Sequence, residues 1–253
     1  MADLPHQLDR TVVIGAPRET VFRFFTDEAR WASWWGKGST IDPRPGGNVL
    51  LVYPGGVQVA GEVVDIAPPA RIVFTYGFVS GTPIPAGSSR VSIELEPIAG
   101  GTRLTLVHAF ANASVRDEHV QGWRYQLSLF ANLVANEVHA GAAEQIDRWT
   151  ALWAEPDAAA RQTALAAIAH EGVRFADRYS RVEGRDDLLP HIAAAQHFMP
   201  GMRMTRDGNV RHCQGIVLAD FTMVAPDGSV KAKGTNVFEF GPDGKILRVT
   251  GLW

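Results

Sequence analysis

Short runs of hydrophobic positions, some continuous and some alternating with polar ones, fill much of the first half of the chain. These β-like runs lie at 11–14, 48–53, 57–66, 71–79, 90–97 and 102–110. Gly, Pro, Asn and Asp separate most of them, which is typical of an antiparallel meander. Pro17 and the apolar residues after it predict a short helix. The three- and four-residue spacing of apolar residues from Val120 to Val134 predicts a long helix from about Asp117 to His139.

The second half reverses this order, because helical patterns come first. Helices are predicted at 142–155, 156–171 and 185–198, a strand at 173–179, and long strands at 209–225, 231–241 and 245–253. Small residues at 139–145 mark the junction. We therefore predict two α+β domains, at 1–140 and 141–253. In the first, an antiparallel sheet curves around a long helix; in the second, three helices cover a bent sheet and form a cone that encloses a cavity.

Charge and cysteine usage exclude several classes of function. The chain has 253 residues with 24 basic and 27 acidic side chains, and these are scattered. This distribution argues against a nucleic-acid surface or a basic membrane-binding face. Cys213 is the single cysteine, and the chain has no recognised metal-binding or phosphate-binding motif, so we expect no metal and no cofactor. The first ten residues lack the apolar core of a secretion signal, and a cytoplasmic protein is expected.

Two polar residues stand on apolar strand faces in the second half. Asn236 shares a face with Phe238 and Phe240, and Asp177 shares one with Val173 and Phe175. A carboxylate facing an apolar cavity is costly to desolvate, which favours a role as a base. Removal of a proton beside a carbonyl leaves an enolate oxygen that needs hydrogen-bond donors, and an asparagine amide is one at any pH.

Four stretches in the first half form a recognisable set. They are "APRETVFRFFTDEARWASWWG", the "PGG" at 45–47, "GEVVDIAPPARIVFTYG" and the "GW" at 122–123. On these residues, 10–139 resembles the START-like (SRPBCC) superfamily, in the branch similar to heat-shock-protein ATPase activators. The resemblance implies a helix-grip fold with an apolar cavity beneath the long helix, and no fixed chemistry. Candidate cavity residues are Trp35, Tyr53, His108 and Trp123. The cluster of Trp31, Trp34 and Trp35, expected after a helix, either roofs this cavity or packs on the sheet.

Two stretches of the second half, "VRFADRYSRVEGRDDL" and "NVFEFGPDGKILRVTGLW", carry another resemblance. They are similar to the nuclear transport factor two-like (SnoaL-like) superfamily, which includes ketosteroid isomerases. The resemblance implies that Asp177 moves the proton and that Asn236 takes the place of a protonated aspartic acid that donates to the oxyanion. Trp149 is the best match to the tyrosine that is the other donor. An indole in place of the phenol counts against true steroid isomerase activity.

Each of these candidates has a structural alternative. Asp177 can bind a helix N-terminus or pair with an arginine, Asn236 can fix a strand edge or a bulge, and Trp149 can be a core residue. A second polar set is a further candidate for ligand contact, and it comprises His197, His212, Gln214 and Asp220. Three of these, His212, Gln214 and Asp220, lie at even-numbered positions of one predicted strand and are therefore expected on the same face. The remaining candidates for ligand contact in this domain are Tyr179, Phe238 and Trp253.

The function expected from these patterns is binding of a small hydrophobic or aromatic molecule, with proton transfer of the isomerase, cyclase or hydratase type in the second domain. The first alternative is a non-enzymatic carrier or sensor, and the second is a chaperone-associated interaction protein. No nucleic acid and no membrane is expected as a partner. Two copies are expected to pair through the outer face of the second sheet, which carries Val237, Glu239 and Arg248.

Overall fold

The computed structural model describes residues 3–253, and the chain divides into two compact units, of which the second begins at Asn136. The division falls inside the long helix, five residues before the boundary predicted from the sequence. Both units are mixed α and β structures, as predicted. Within residues 3–253, no helix combines the length and the apolar character needed to cross a bilayer.

The first unit is built on a seven-stranded antiparallel sheet with the strand order β1-β7-β6-β5-β4-β3-β2. The strands are β1 His6–Ile14, β2 Thr40–Ile41, β3 Asn48–Val52, β4 Gln58–Ala67, β5 Arg71–Tyr76, β6 Ser89–Ile98 and β7 Gly101–Phe110. Strand β1 contains the first predicted run, and β3 to β7 correspond to the five runs that follow it. Strand β2 is an additional strand of two residues. The helices are α1 Arg18–Arg23, α2 Glu28–Trp35 and α3 Ala113–Val138.

The tryptophan cluster follows α1, as expected, and lies within α2, a second short helix that the sequence patterns did not predict. The side chain of Asp27 accepts a hydrogen bond from Arg30 N at 2.9 Å, which caps this helix. Trp31 and Trp34 are fully buried. The ring of Trp34 lies 4.8 Å from that of Phe130 in α3, so the cluster fills the space beside the long helix. The cluster therefore packs as core.

The predicted stripe of α3 is largely confirmed. Trp123, Leu127, Phe130 and Val134 are buried, whereas Val120 is half-buried. The helix begins four residues earlier than expected. Asn112 accounts for this, because its Oδ1 accepts from Ser114 N at 2.8 Å and caps the first turn.

The second unit has a six-stranded sheet with the order β10-β11-β12-β13-β8-β9, antiparallel except where β13 pairs with β8. Its strands are β8 Ala169–Ala176, β9 Arg181–Glu183, β10 Arg203–Cys213, β11 Ile216–Val224, β12 Val230–Phe240 and β13 Ile246–Leu252. Its helices are α4 Ala142–Leu152, α5 Ala158–Ile168 and α6 Arg185–Phe198. They agree closely with the three predicted helices. Trp149, Leu165 and Phe238 belong to the core of this unit.

The single strand predicted at 209–225 is wrong, because the structure has a hairpin there. β10 pairs antiparallel with β11, and the chain reverses at Gln214 and Gly215. Both residues have positive φ angles, 47° and 86°, which is the conformation of a two-residue hairpin turn. His212 and Asp220 thus stand on different strands, and the shared parity assumed for them does not exist.

Candidate functional site

The second unit contains a cavity of about 370 Å³ whose walls are mostly aromatic and methionine side chains. We call it the Asp177 cavity. Its polar lining consists of Asp177, Ser180, His191 and Asn236. A largely apolar space with a few convergent polar groups is the usual form of a small-molecule site.

Asp177 directly follows β8 and caps a tight turn. Its Oδ1 accepts hydrogen bonds from Tyr179 N at 2.9 Å, Ser180 N at 2.7 Å and Ser180 Oγ at 2.8 Å. The turn is closed by Asp177 N donating to Ser180 O at 2.9 Å. Among the described residues, Oδ2 has no hydrogen-bond partner. Asp177 therefore neither binds a helix N-terminus nor pairs with an arginine, and one of its oxygens remains for a ligand.

Ser180 connects Asp177 to a histidine. His191 Nε2 lies 3.3 Å from Ser180 Oγ. Because the single hydroxyl proton of Ser180 goes to the carboxylate, Nε2 of His191 is the donor in this contact, and its Nδ1 is an acceptor in the neutral ring. Sequence reasoning missed both residues as site candidates. The signal for Ser180 is its position three residues after an aspartate, a spacing that is typical of a side-chain-capped turn.

Asn236 is only 5% exposed and pairs across the sheet with Gly251. A Cβ atom built on Gly251 would lie 3.2 Å from Asn236 Oδ1 and 3.4 Å from Asp177 Cβ. The absence of a side chain at Gly251 thus lets the amide and the acid approach the same point. The amide nitrogen of Asn236 lies on the side of Met204, at 3.9 Å from its sulfur, which is a weak acceptor. Asn236 therefore retains donor capacity toward the cavity.

Trp149 is both a core residue and part of the cavity wall. It is 1% exposed, and its ring lies 6.1 Å from those of Phe175 and Phe238. Its indole N–H makes no hydrogen bond to any residue that the structure describes. The three residues expected to act together, Asp177, Asn236 and Trp149, accordingly line one cavity.

The mouth of the cavity is an exposed apolar rim. Tyr179 is 74% and Phe198 80% exposed, and both line the cavity. Trp253 lines it too, with its ring 5.4 Å from that of Tyr179. Large exposed apolar side chains around a pocket are characteristic of surfaces that meet a ligand or partner.

The remaining candidates for ligand contact in this unit lie outside the Asp177 cavity. His197 is exposed, with its ring 5.4 Å from that of Phe198, and Gln214 occupies the β10–β11 turn. Phe238 lies fully buried in the core. His212 contacts His139 at 3.2 Å and Asn136 at 2.6 Å. None of these four candidates lines the Asp177 cavity. Burial lowers the pKa of His212, and the neighbouring His139 lowers it further.

The first unit has its own smaller cavity, of about 180 Å³, lined in part by Trp35, Tyr53 and Trp123. The hydroxyls of Tyr53 and Tyr76 lie 3.2 Å apart at its wall. Burial raises the pKa of both phenols, most strongly that of Tyr76, so both stay protonated. One of the two protons is used in their mutual hydrogen bond, and the other is available to a ligand.

His108, a fourth candidate of the first unit, does not line this cavity. It is fully buried, and Trp123 Nε1 donates to its Nδ1 at 2.9 Å. Its Nε2 lies 2.8 Å from Ser89 Oγ, which donates to Tyr76 O at 2.8 Å. Each polar atom of the ring therefore has a partner while the ring is neutral. Burial holds the pKa of His108 well below its usual value, and His119 lowers it further.

Metal ligands do not cluster in the described part of the chain, where no three His, Cys, Asp or Glu side chains come together at a common point. Proton transfer by a carboxylate with amide and indole donors requires no cofactor.

Comparison with solved structures gives likenesses that each extend over about half of this chain. A putative isomerase of the SnoaL-like family from Agrobacterium tumefaciens is 26% identical, with 46% of this chain and 96% of that chain covered and a TM-score of 0.42. A protein from Chromobacterium violaceum is 25% identical, with 52% and 98% covered and a TM-score of 0.44. A protein from Mesorhizobium loti is 19% identical, with 50% and 94% covered and a TM-score of 0.45.

None of the curated proteins matches this chain. The family described as "Activator of Hsp90 ATPase homolog 1-like protein" matches residues 15–135, which span α1, α2, six strands and most of α3. The match agrees with the helix-grip resemblance of the first half. Residues 15–135 are thus similar to the Activator of Hsp90 ATPase homolog 1-like family.

Proposed function

We propose that the second domain binds an apolar carbonyl compound and moves a proton within it. The observation that supports this is the convergence of Asp177 and Asn236 on Gly251 at the wall of one apolar cavity. Asp177 is the base, because its Oδ2 has no partner among the described residues. Asn236 is the donor to the carbonyl oxygen, because its amide nitrogen has only a thioether beside it.

The reaction proceeds in two proton transfers. Asp177 takes a proton from the carbon beside the carbonyl, and the electron pair of that C–H bond forms the enolate. The Asn236 amide, with the indole N–H of Trp149, binds the negative oxygen. The protonated carboxyl group of Asp177 then returns the proton to another carbon of the conjugated enolate. This step completes an isomerisation and leaves Asp177 ionised. Apolar walls exclude water and strengthen both electrostatic contacts.

The test is exchange of solvent deuterium into a panel of enolisable and β,γ-unsaturated ketones, followed by NMR. It detects proton abstraction even when no net product forms. Asp177→Asn is expected to lower the exchange rate by about 100-fold or more, because the amide cannot act as a base. Asp227→Asn is a matched control. Asp227 accepts from Ser229 N at 2.9 Å and Ser229 Oγ at 2.6 Å, in the same kind of turn but outside the cavity. Equal exchange in wild type and Asp177→Asn would refute the catalytic role.

One observation favours a second function, a carrier of an apolar molecule. The three hydrogen bonds to Asp177 Oδ1 give this residue a structural duty that needs no chemistry. A carrier retains its ligand unchanged, and native mass spectrometry of the purified protein measures this. Retention of a ketone without deuterium exchange supports the carrier, whereas exchange that depends on Asp177 supports the enzyme.

A further inference from the structure

A second and larger cavity adjoins the Asp177 cavity. It has a volume of about 670 Å³ and is lined by Arg203, Met199, Met202 and Pro226 among others. We call it the Arg203 cavity. Trp153 and Met199 line both cavities. The two spaces therefore share a wall formed by the end of α4 and the end of α6.

A small space lies between the two cavities and shares lining residues with both. It has a volume of about 30 Å³, close to the share of one water molecule in the liquid. Met204 and Met223 line both this space and the Asp177 cavity, whereas Met202 and Arg203 line both this space and the Arg203 cavity. Unbranched methionine side chains adapt their shape at low cost. Movement of these methionine side chains would open a passage for a chain of methylene groups more readily than for a fused ring.

The charges of the two cavities differ in sign. Arg203 is the one charged residue among those that line the Arg203 cavity, and Asp177 is the one carboxylate lining the other. Arg203 is exposed, and its side chain makes no ion pair or hydrogen bond with any other residue between 3 and 253. Its guanidinium is therefore available to a ligand, and this group binds a carboxylate in a bidentate manner.

We infer that the two cavities together take an elongated carboxylic acid, with its carboxylate at Arg203, its methylene chain between the methionines and its carbonyl-bearing end beside Asp177. This inference rests on the proposed function and names its substrate class, an aliphatic keto acid. The acid group cannot replace the ketone at the inner end, because the carboxylate of Asp177 repels a second negative charge there.

The test compares two probes of equal chain length, dodecanoate and dodecyl alcohol, which carry a charged carboxylate and a neutral hydroxymethyl group at C1, by isothermal titration calorimetry. Wild type is expected to bind dodecanoate at least about tenfold more tightly. Arg203→Gln is expected to abolish this preference and leave the affinity for the alcohol unchanged. The matched control is Arg211→Gln on the same strand, since Arg211 pairs with Asp220 at 3.1 Å and lines neither cavity. Equal affinity for the two probes in wild type, or an unchanged preference in Arg203→Gln, overturns the inference.

A competition experiment tests whether one ligand spans both cavities. Dodecanoate is expected to inhibit deuterium exchange into a small neutral ketone, and acetate, which has the charge without the chain, is not. Arg203→Gln should keep the exchange activity toward the neutral ketone and lose most of the inhibition. Exchange that dodecanoate does not inhibit overturns the inference and leaves the proposed function intact. Preferential binding of dodecanoate without any exchange refutes the catalytic proposal and leaves Arg203 as the anion site of a carrier.

Discussion

The hydroxyl of Ser180 donates to Oδ1 of Asp177 at 2.8 Å, and this hydrogen bond helps to orient the carboxyl group in the cavity wall. Two backbone N–H groups of the same turn donate to the same oxygen. The other oxygen, Oδ2, has no hydrogen-bond partner among the described residues. Orientation of this kind is valuable because small displacements of a reacting group have large effects on rate.

Ser180→Ala is expected to lower the rate of deuterium exchange by about five- to a hundredfold, because the carboxyl group loses one of its three fixed donors. The KM for the ketone should stay unchanged, since Ser180 positions the base and does not hold the ketone. Ser180→Thr keeps the hydroxyl and should recover most of the rate. Ser229→Ala removes the equivalent contact to Asp227 outside the cavity and is the control. A rise in KM together with a loss of stability would instead indicate a purely structural residue.

Gly251→Ala is expected to weaken ketone binding by about tenfold while the fold is retained. The new Cβ would lie 3.2 Å from Asn236 Oδ1, so the Asn236 side chain must shift away from the point where it and Asp177 approach each other. Calorimetric titration with the ketone measures the effect, and circular dichroism checks the fold. Gly172→Ala is the control, since Gly172 also lies in a strand but its nearest atom is a histidine ring nitrogen at 3.6 Å. Unchanged affinity in Gly251→Ala would place the ligand elsewhere.

The stability of the first domain is expected to fall as the pH decreases below about 6.5, because of His108. Burial holds the pKa of His108 well below its usual value in the folded state, so the unfolded chain binds the proton first. The unfolded state then gains stability on acidification, by at most about 1.4 kcal/mol per pH unit for this one group. Above about 6.5 this contribution is fully present.

Urea unfolding of wild type and His108→Gln at a series of pH values measures this effect. Glutamine does not titrate, so the variant should show a smaller pH dependence in the transition that belongs to the first domain. His197→Gln, at an exposed position of the second domain, should leave that dependence unchanged. An equal pH dependence in wild type and His108→Gln would contradict the assignment.

Arg161→Lys is expected to destabilise the second domain by about 1–3 kcal/mol. The buried guanidinium donates to Glu155 O at 2.7 Å and to Gln196 Oε1 at 2.8 Å, and an ammonium group cannot reproduce this geometry. Arg148→Lys is the control, because Arg148 pairs with Glu144 at the exposed surface and should change stability by less than about 0.5 kcal/mol. The midpoint of urea unfolding reports both, and equal shifts would show that Arg161 is not a structural anchor.

The spacing of hydrophobic residues along the chain predicted the strands on or beside which the residues of the Asp177 cavity lie. The two-residue period of strand side chains placed Asn236 on the face of Phe238 and Phe240, and all three are buried there. The same period placed Asp177 beyond Phe175 at the end of β8. Both predictions depend only on neighbours along the chain, because alternation is a property of a single strand.

The hairpin at Gln214 escaped prediction for a local reason. Two-residue turns of this type usually carry Asn-Gly or Asp-Gly, whereas glutamine seldom adopts a positive φ. The apolar residues that follow continue the strand pattern. Gly215 is therefore the only signal of the turn in the sequence, and the pattern predicts one strand where the structure has two.

Sequence alone determined two α+β units and the strand face on which Asn236 stands, because hydrophobic periodicity records which side of each element is buried. Only the tertiary structure decided which side chains meet. It placed His191 of α6 against Ser180, brought Gly251 between the acid and the amide, and closed His108 within a hydrogen-bond network. Such contacts depend on how helices and strands distant in sequence pack together, and no period within one element contains that information.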